Sequence, residues 1–251
     1  MKFDAITILG GRDKDGNPER VGSLTVRRGE IFSVIGFTGS GKSRLIRDIE
    51  QLAQGDTVTG RRVLTDGEVP EYRFRREPQF KVVAHLTQNM NYITDLKCGE
   101  FLRIRAECRK IPSPALNAER IIETANGLCG EPIAAATPLT GLSGGQSRAL
   151  MIADTAVNAA APIVLIDEIE NAGIDKAAAM RTLVDGDKIV LAVTHDPMLA
   201  LAAKMRVVMR NGGMERILGV TDGEKLALER LTEINAYSLE IQRRLRLGET
   251  L

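Results

Sequence analysis

The densest chemistry in the chain lies in eight residues, GFTGSGKS, from Gly36 to Ser43. They fit the pattern G-x-x-x-x-G-K-[S/T], whose glycines let successive backbone N–H groups turn inward around a phosphate. On this reading Gly36, Phe37, Thr38, Gly39, Ser40 and Gly41 form the anion nest. Lys42 reaches the terminal phosphates, the Ser43 hydroxyl ligates Mg²⁺, and Arg44 follows on the opening turn of a helix. The pattern means something only with a strand before it and a helix after it. Both are predicted: Ile31 to Ile35 is a short β-rich run, and Leu45, Ile46, Ile49 and Leu52 recur at helical spacing.

Two further stretches answer to the same chemistry. In IVLIDE, Ile163 to Glu168, an apolar strand ends in two carboxylates. Asp167 would hold a magnesium ion through water, and Glu168 would polarise an attacking water. Such a pair alone is often only solvated surface; beside a phosphate loop it is a specific signal. In LSGGQ, Leu142 to Gln146, Ser143, Gly144 and Gly145 precede a helix and make a second anion nest, with Gln146 on the helix's first turn.

These residues need a frame. The chain has 251 residues with 43% hydrophobic and 27% charged, enough apolar matter for a real core and too much for a disordered chain. Strands are expected over residues 2–9, 21–35 and 82–87, and at Ile163–Ile166 and Ile189–Val193. Val63–Leu64 before Asp66–Gly67 reads as a small hairpin edge. Helices are expected over 43–53, in two pieces between Asp95 and Leu128 separated by Pro112 and Pro114, over 146–158, and over 198–204. Strands alternating with helices imply a largely parallel sheet covered on both faces. From Gly223 the positions Ala227, Leu231, Ile234, Ser238, Ile241 and Leu245 keep a 4-3-4-3-4 spacing, one long amphipathic helix expected to pack on its own domain, the alternative being a dimer or partner surface.

Composition also excludes. Lys plus Arg total 34 against 33 for Asp plus Glu, a net charge of +1, which argues against a globally basic nucleic-acid binder. With 4% aromatics and no Trp, rings are too few to stack along a single strand. The basic cluster Arg61, Arg62, Arg73, Arg75, Arg76 and Lys81 is interleaved with acids and reads as a solvated face. The cysteines Cys98, Cys108 and Cys129 are odd in number and scattered, so buried or half-buried thiols in a reducing compartment are expected. No run is apolar enough to span a bilayer, and the first residues read as a strand, not a secretory leader. The expectation is a cytoplasmic protein without direct membrane insertion.

On the three motifs, in this order and context, the chain resembles the ATP-binding cassette (ABC) family of ATPases from Gly36 to Asp196. The resemblance implies an α/β fold: a P-loop NTPase, RecA-like core with a mixed sheet (1–90 and 149–222), an inserted helical subdomain (about 91–148), and a C-terminal helical extension (223–251). It implies ATP and Mg²⁺ bound between two subunits of a head-to-tail homodimer, with Ser143 to Gly145 of one closing over the γ-phosphate held by the other. It assigns the catalytic base to Glu168. Gln88 matches the glutamine that contacts Mg²⁺ or the attacking water, His195 in THD matches the histidine that touches the γ-phosphate, and Asp175 matches the aspartate that crosses the dimer interface. His85, lacking such context, is left structural.

The chain departs from the family in three places. Gly10 to Ser23 holds no aromatic ring to stack on adenine, so either Arg12 or Arg20 lies over the base or base selectivity is loose. DEIENAGID replaces the usual Asp-Glu-Pro-Thr sequence and adds one residue before Asp175. Arg44 stands where a small hydroxyl residue is common. Family breadth favours the nucleotide-binding subunit of an ABC transporter, peripheral at the inner face of the membrane through separate membrane-spanning subunits. The alternative is a soluble non-transport ABC ATPase acting in protein or cofactor assembly or in nucleic-acid handling. A regulatory module with little turnover is disfavoured by the intact Glu168 and His195.

Overall fold

A computed structural model describes residues 3–87, 92–158, 161–167 and 175–250. In chain order the elements are β1 (Ala5–Leu9), β2 (Ser23–Arg27), β3 (Ile31–Ile35), α1 (Lys42–Glu50), β4 (Arg62–Thr65), α2 (Tyr72–Arg76) and β5 (Val83–Leu86). There follow α3 (Cys98–Cys108), α4 (Pro114–Asn126), α5 (Gly144–Val157), β6 (Ile163–Asp167), α6 (Lys176–Asp185), β7 (Ile189–Val193), α7 (Pro197–Ala202), β8 (Met205–Arg210), β9 (Gly213–Gly219) and α8 (Asp222–Arg246). They build two sheets: a three-stranded antiparallel one in the order β2-β1-β4, and a six-stranded one in the order β5-β6-β7-β3-β8-β9. In the larger sheet β5 to β8 are parallel and only the edge strand β9 is antiparallel. The mixed α/β architecture expected of the chain is therefore present.

Strands β6 and β7 have no polar face because both of their faces are covered: Ile163–Ile166 and Ile189–Val193 are all buried. On one side they pack with Ile6, Ile8, Leu24, Leu45 and Ile49 from the small sheet and α1. On the other they meet Leu102, Ile121, Leu150 and Leu183 from the helices. At roughly 25 cal/mol per Å², these two apolar layers supply the bulk of the driving force.

Several expectations need correction. Residues 21–35 are not one strand: β2 and β3 are separated by a turn in which Gly29 adopts φ +74. Sequence pattern predicts none of α2, α6, β8 and β9. Arg61 is not on a solvated face; it is fully buried, whereas Arg62 and Arg73 stay exposed. Cys98 is buried and Cys129 half-buried, but Cys108 is exposed, and all three are free. The stripe on α8 does not pack on its own domain. The helix is anchored at its start, where Arg206 pairs with Glu224 and where it meets α7. Beyond its first turns it runs clear of the body, leaving Ile234 65% and Leu245 56% exposed. Spacing alone gave the helix but not its neighbour.

One buried cation ties the sheet to α5. Lys188 donates 2.6 Å to the carbonyl of Asn158, closing the C-terminal end of α5. Burial, reinforced by the nearby Arg109, pushes its ammonium down from 10.5 to about 8. Above that value the folded chain releases the proton while the unfolded chain still holds it, so the unfolded state binds more protons and stability rises with pH. Relative to Lys188→Met, the wild type should gain about 1–2 kcal/mol between pH 7.5 and 9.5. Denaturant midpoints at the two pH values check this, and parallel curves would refute it.

Candidate functional site

The register of the parallel strands brings the chemical residues to one edge. Val34 of β3 lies opposite Val193 of β7, and Val193 lies opposite Asp167 of β6. The residues that follow these strands therefore emerge side by side at their carboxyl ends: Gly36 after β3, Thr194 and His195 after β7, and Asp167 closing β6. With strands about 4.8 Å apart, Asp167 and the mouth of the phosphate loop stand roughly 10 Å from each other. Carboxyl ends of parallel strands are where open α/β sheets hold ligands. On the far side of Asp167, Leu86 of β5 pairs with Ile166, so Thr87 ends at the same edge. Gln88 and Glu168 lie outside the described residues.

The loop from Gly36 to Gly41 turns on three glycines at positive φ, Gly36 (+153), Gly39 (+78) and Gly41 (+105). Gly41, at φ +105, caps α1, and a Cβ there would come within 2.6 Å of the Gly212 Cα, so only glycine fits. Lys42 is buried, and its ammonium folds back on two carbonyls of its own loop, donating 2.8 Å to Gly36 O and 3.2 Å to Phe37 O. The Ser40 Oγ is buried with no hydrogen-bond partner among the described residues. Ser43 and Arg44 are exposed on the first turn of α1, and Thr38 and Gly39 are exposed above the loop. Arg44 thus faces solvent, and Phe37 is 91% exposed. Among the described residues that buried cation is satisfied by neutral carbonyls alone and the Ser40 hydroxyl has no partner, an environment that suits a polyphosphate. The Ser43 hydroxyl and the half-buried Asp167 carboxylate are the hard oxygen donors that Mg²⁺ takes beside phosphate.

The loop carrying His195 is fixed on both sides. Thr194 is buried, and its Oγ1 accepts the Asp196 N–H at 2.9 Å. Asp196 accepts the Met198 N–H at 2.8 Å, capping α7, and pairs with Lys176 of α6 at 2.7 Å. Burial opposes ionisation of Asp196, yet the Lys176 ammonium and the Met198 N–H outweigh it and hold the carboxyl below its ordinary value. Asp175, next to Lys176, is the N-cap of α6: it accepts the Ala178 N–H at 3.0 Å, and its own N–H donates to Leu128 O. His195 itself is exposed at the crevice.

The second nest is held by a reciprocal cap. Ser143 accepts the Gln146 N–H at 3.3 Å, and the Gln146 Oε1 accepts the Ser143 N–H at 2.9 Å, a capping box at the start of α5. This fixes Gly144 and Gly145 as the first helical residues and leaves Ser143 exposed. Gln146 is thereby committed to the backbone.

Both arginines considered for the base have protein partners. Arg12 donates 2.9 Å to Gly16 O across its own turn, and Arg20 pairs with Glu215 of β9 at 2.6 Å. The cation that reaches the phosphate loop is Lys14, which donates 2.7 Å to Gly39 O and was not singled out by spacing or type. The available signal was negative, the ring-free loop itself.

A phosphate nest after a central parallel strand, with a carboxylate ending a nearby strand, defines a P-loop nucleoside triphosphatase. The family described as ABC transporter matches residues 20–171. An uncharacterized ABC transporter ATP-binding protein of Methanocaldococcus jannaschii is 51% identical over 251 residues, covering 100% of this chain and 96% of that protein. A macrolide export ATP-binding/permease protein of Campylobacter jejuni is 31% identical over 228 residues, 84% of this chain, but the match spans only 32% of that larger protein. Among solved structures, cbiO1 of Clostridium perfringens, part of an ABC transporter complex, aligns over 100% of both chains with a TM-score of 0.66 at 20% identity. A dimeric ATP-binding cassette in a post-hydrolysis state bound to ADP and Pi aligns over 86% of this chain with a TM-score of 0.60 at 21% identity. The chain belongs to the ABC transporter family and is an ABC-type ATPase.

Proposed function

We propose that the chain is the nucleotide-binding subunit of a transporter, working as a head-to-tail homodimer whose ATP sites are shared between subunits. Residues 1–90 and 149–222 would form the core, about 91–148 the helical subdomain, and 223–251 an extension. The observation that carries this reading is the division of phosphate chemistry within one chain. Lys42, Asp167 and His195 stand at one sheet edge, while the capped Ser143–Gly145 nest is exposed at the start of another helix and open to a second molecule's nucleotide.

In this reading the Lys42 ammonium exchanges its two loop carbonyls for β- and γ-phosphate oxygens. Ser43, Asp167 and Gln88 would hold Mg²⁺, which would supply positive charge to neutralise the phosphate oxygens. Glu168 takes the proton of the attacking water, and His195 donates to the γ-phosphate from a loop that Asp196 anchors. Ser143 to Gly145 of the partner subunit would supply the facing N–H groups, so the dimer interface exists only while the γ-phosphate bridges it.

The membrane partner would dock in the groove beside β5, the strand leading to Gln88. That groove, of about 920 Å³, runs between the β5 edge, α3 and α5, and includes Phe80, His85, Arg105 and Met151. Among the described residues no helix is long and apolar enough to cross a membrane, so spanning segments would come from other subunits. The test is capture: Glu168→Gln protein held closed with ATP and Mg²⁺, recovered from detergent-treated native lysate, with its companions identified by mass spectrometry. A multispanning membrane protein at near-stoichiometric yield supports the transporter reading. Soluble companions alone would replace it with a soluble assembly ATPase.

A further inference from the structure

We propose that Lys14 binds the nucleoside end of the nucleotide through groups common to all nucleoside triphosphates, and that this site is therefore indifferent to the base. The inference rests on the phosphate-loop reading of Gly36–Ser43 and extends it to the part of the ligand that loop does not hold.

Strand order sets the direction of the ligand. Asp167 and His195 lie on the β6 and β7 side of β3, so the terminal phosphate points that way. The nucleoside end must then leave the loop on the opposite side, over β8 and β9. What stands there is the β8–β9 turn, Asn211–Gly212, with φ values of +50 and +86. This turn is locked to the phosphate loop by the Gly212 N–H, which donates 2.8 Å to Ser40 O.

The ring-free segment between β1 and β2 lies on that turn and delivers Lys14 to it. The Lys14 N–H donates 2.9 Å to Asn211 O. A Cβ on Gly212 would stand 2.8 Å from the Lys14 Cγ, so the alkyl stem lies flat on the glycine. From there Nζ reaches Gly39 O at 2.7 Å. The segment is itself held in shape: Asp13 Oδ1 accepts the N–H groups of Asp15 and Asn17 at 2.9 Å, and Asn211 donates 2.7 Å to Asp15 Oδ2. Lys14 is exposed, and no carboxylate among the described residues pairs with it. An unneutralised ammonium is thus held over the loop where the α-phosphate and ribose pass. A lone ammonium has three donors and no acceptor, so it can hold phosphate and hydroxyl oxygens but cannot read the donor–acceptor edge that distinguishes one base from another.

The test measures equilibrium binding of ATP, GTP and CTP by calorimetry to the full chain and to Lys14→Ala, Lys14→Arg and Lys14→Tyr, with Lys42→Ala as a control for the loop itself. The wild type should bind the three nucleotides within about threefold of one another. Lys14→Ala should weaken all three in parallel by about tenfold, and Lys14→Arg should retain most of the affinity. Lys14→Tyr, which supplies a stacking face, should favour the purine nucleotides over CTP by about fivefold or more. A merely structural lysine would not create that selectivity. Unchanged affinity in Lys14→Ala, or a loss confined to ATP, overturns the proposal while leaving the loop reading intact if Lys42→Ala still weakens binding. A wild type that binds none of the three overturns both.

Discussion

Lys42→Ala should weaken nucleotide binding and hydrolysis together, whereas Glu168→Gln should cripple hydrolysis and keep ATP-driven dimerisation. The difference follows from where each group acts. The Lys42 ammonium is buried and held by two neutral carbonyls, at 2.8 and 3.2 Å, with no counter-charge among the described residues. A charge kept that way is already desolvated and oriented, so it meets phosphate oxygens in ground and transition states alike. Its loss removes charge-assisted bonds worth about 1.5–3 kcal/mol each, raising the Kd at least tenfold and lowering turnover by about 10²–10³. A carboxylate that accepts a proton only as water attacks contributes nothing to binding. Its amide should cost about 10²–10⁴ in turnover while the closed dimer accumulates. Phosphate release, calorimetric ATP binding and sedimentation with ATP separate the two. The Lys42 bonds stay within the loop, so the alanine variant should melt near the wild type. Hydrolysis within about tenfold of the wild-type rate in either variant refutes that residue's assignment.

What could be read from sequence was whatever rests on local pattern. The strand, glycine loop and helix around Lys42 are three consecutive segments, and each declares itself by period or by residue type. The same holds for β6 and β7, whose unbroken Ile/Val/Leu runs reflect burial on both faces, and for the Ser143–Gln146 cap, a four-residue motif. Pattern fails where a neighbour from elsewhere decides the outcome. β8 and β9 carry Arg206, Arg210 and Arg216 among their apolar residues and are joined by Asn211–Gly212, a hairpin signal that becomes legible once both flanks are seen as strands. The α8 stripe has the spacing of a packing face, but its exposure depends on how the helix, entering from β9, runs past α7. Lys14 carries no local mark at all: its place on the phosphate loop comes from β1, β2 and the β8–β9 turn meeting in space.

Arg61→Leu should be the most damaging substitution in the core, costing about 3–5 kcal/mol and lowering the Tm by about 10 °C. The sequence around it is rich in charge and looks like surface, yet Arg61 is 0% exposed. Its guanidinium forks onto Glu19, with Nη2 to Oε1 at 2.5 Å and Nε to Oε2 at 3.2 Å, while Nη1 donates 2.9 Å to Asp48 and Nη2 donates 2.8 Å to Gly212 O. Glu19 also accepts the N–H groups of Gly11 and Met214, and Asp48 accepts the Thr59 hydroxyl. One cation therefore joins the β1–β2 segment, α1 and the β8–β9 turn, the three elements that surround the phosphate loop. Leucine would leave two buried carboxylates facing each other with no positive charge, and these must either take up protons or draw in water. Arg61→Lys should recover only part of the loss, because an ammonium cannot bridge Glu19, Asp48 and Gly212 at once. Adding Glu19→Leu and Asp48→Leu to Arg61→Leu should restore part of the stability by removing the stranded charges. It should not restore all, since the Gly11 and Met214 N–H groups then lose their acceptor. Denaturant midpoints of the three variants rank these terms, and an Arg61→Leu protein within 1 kcal/mol of the wild type, on the order of a surface substitution, would show that the triad does not hold the three elements together.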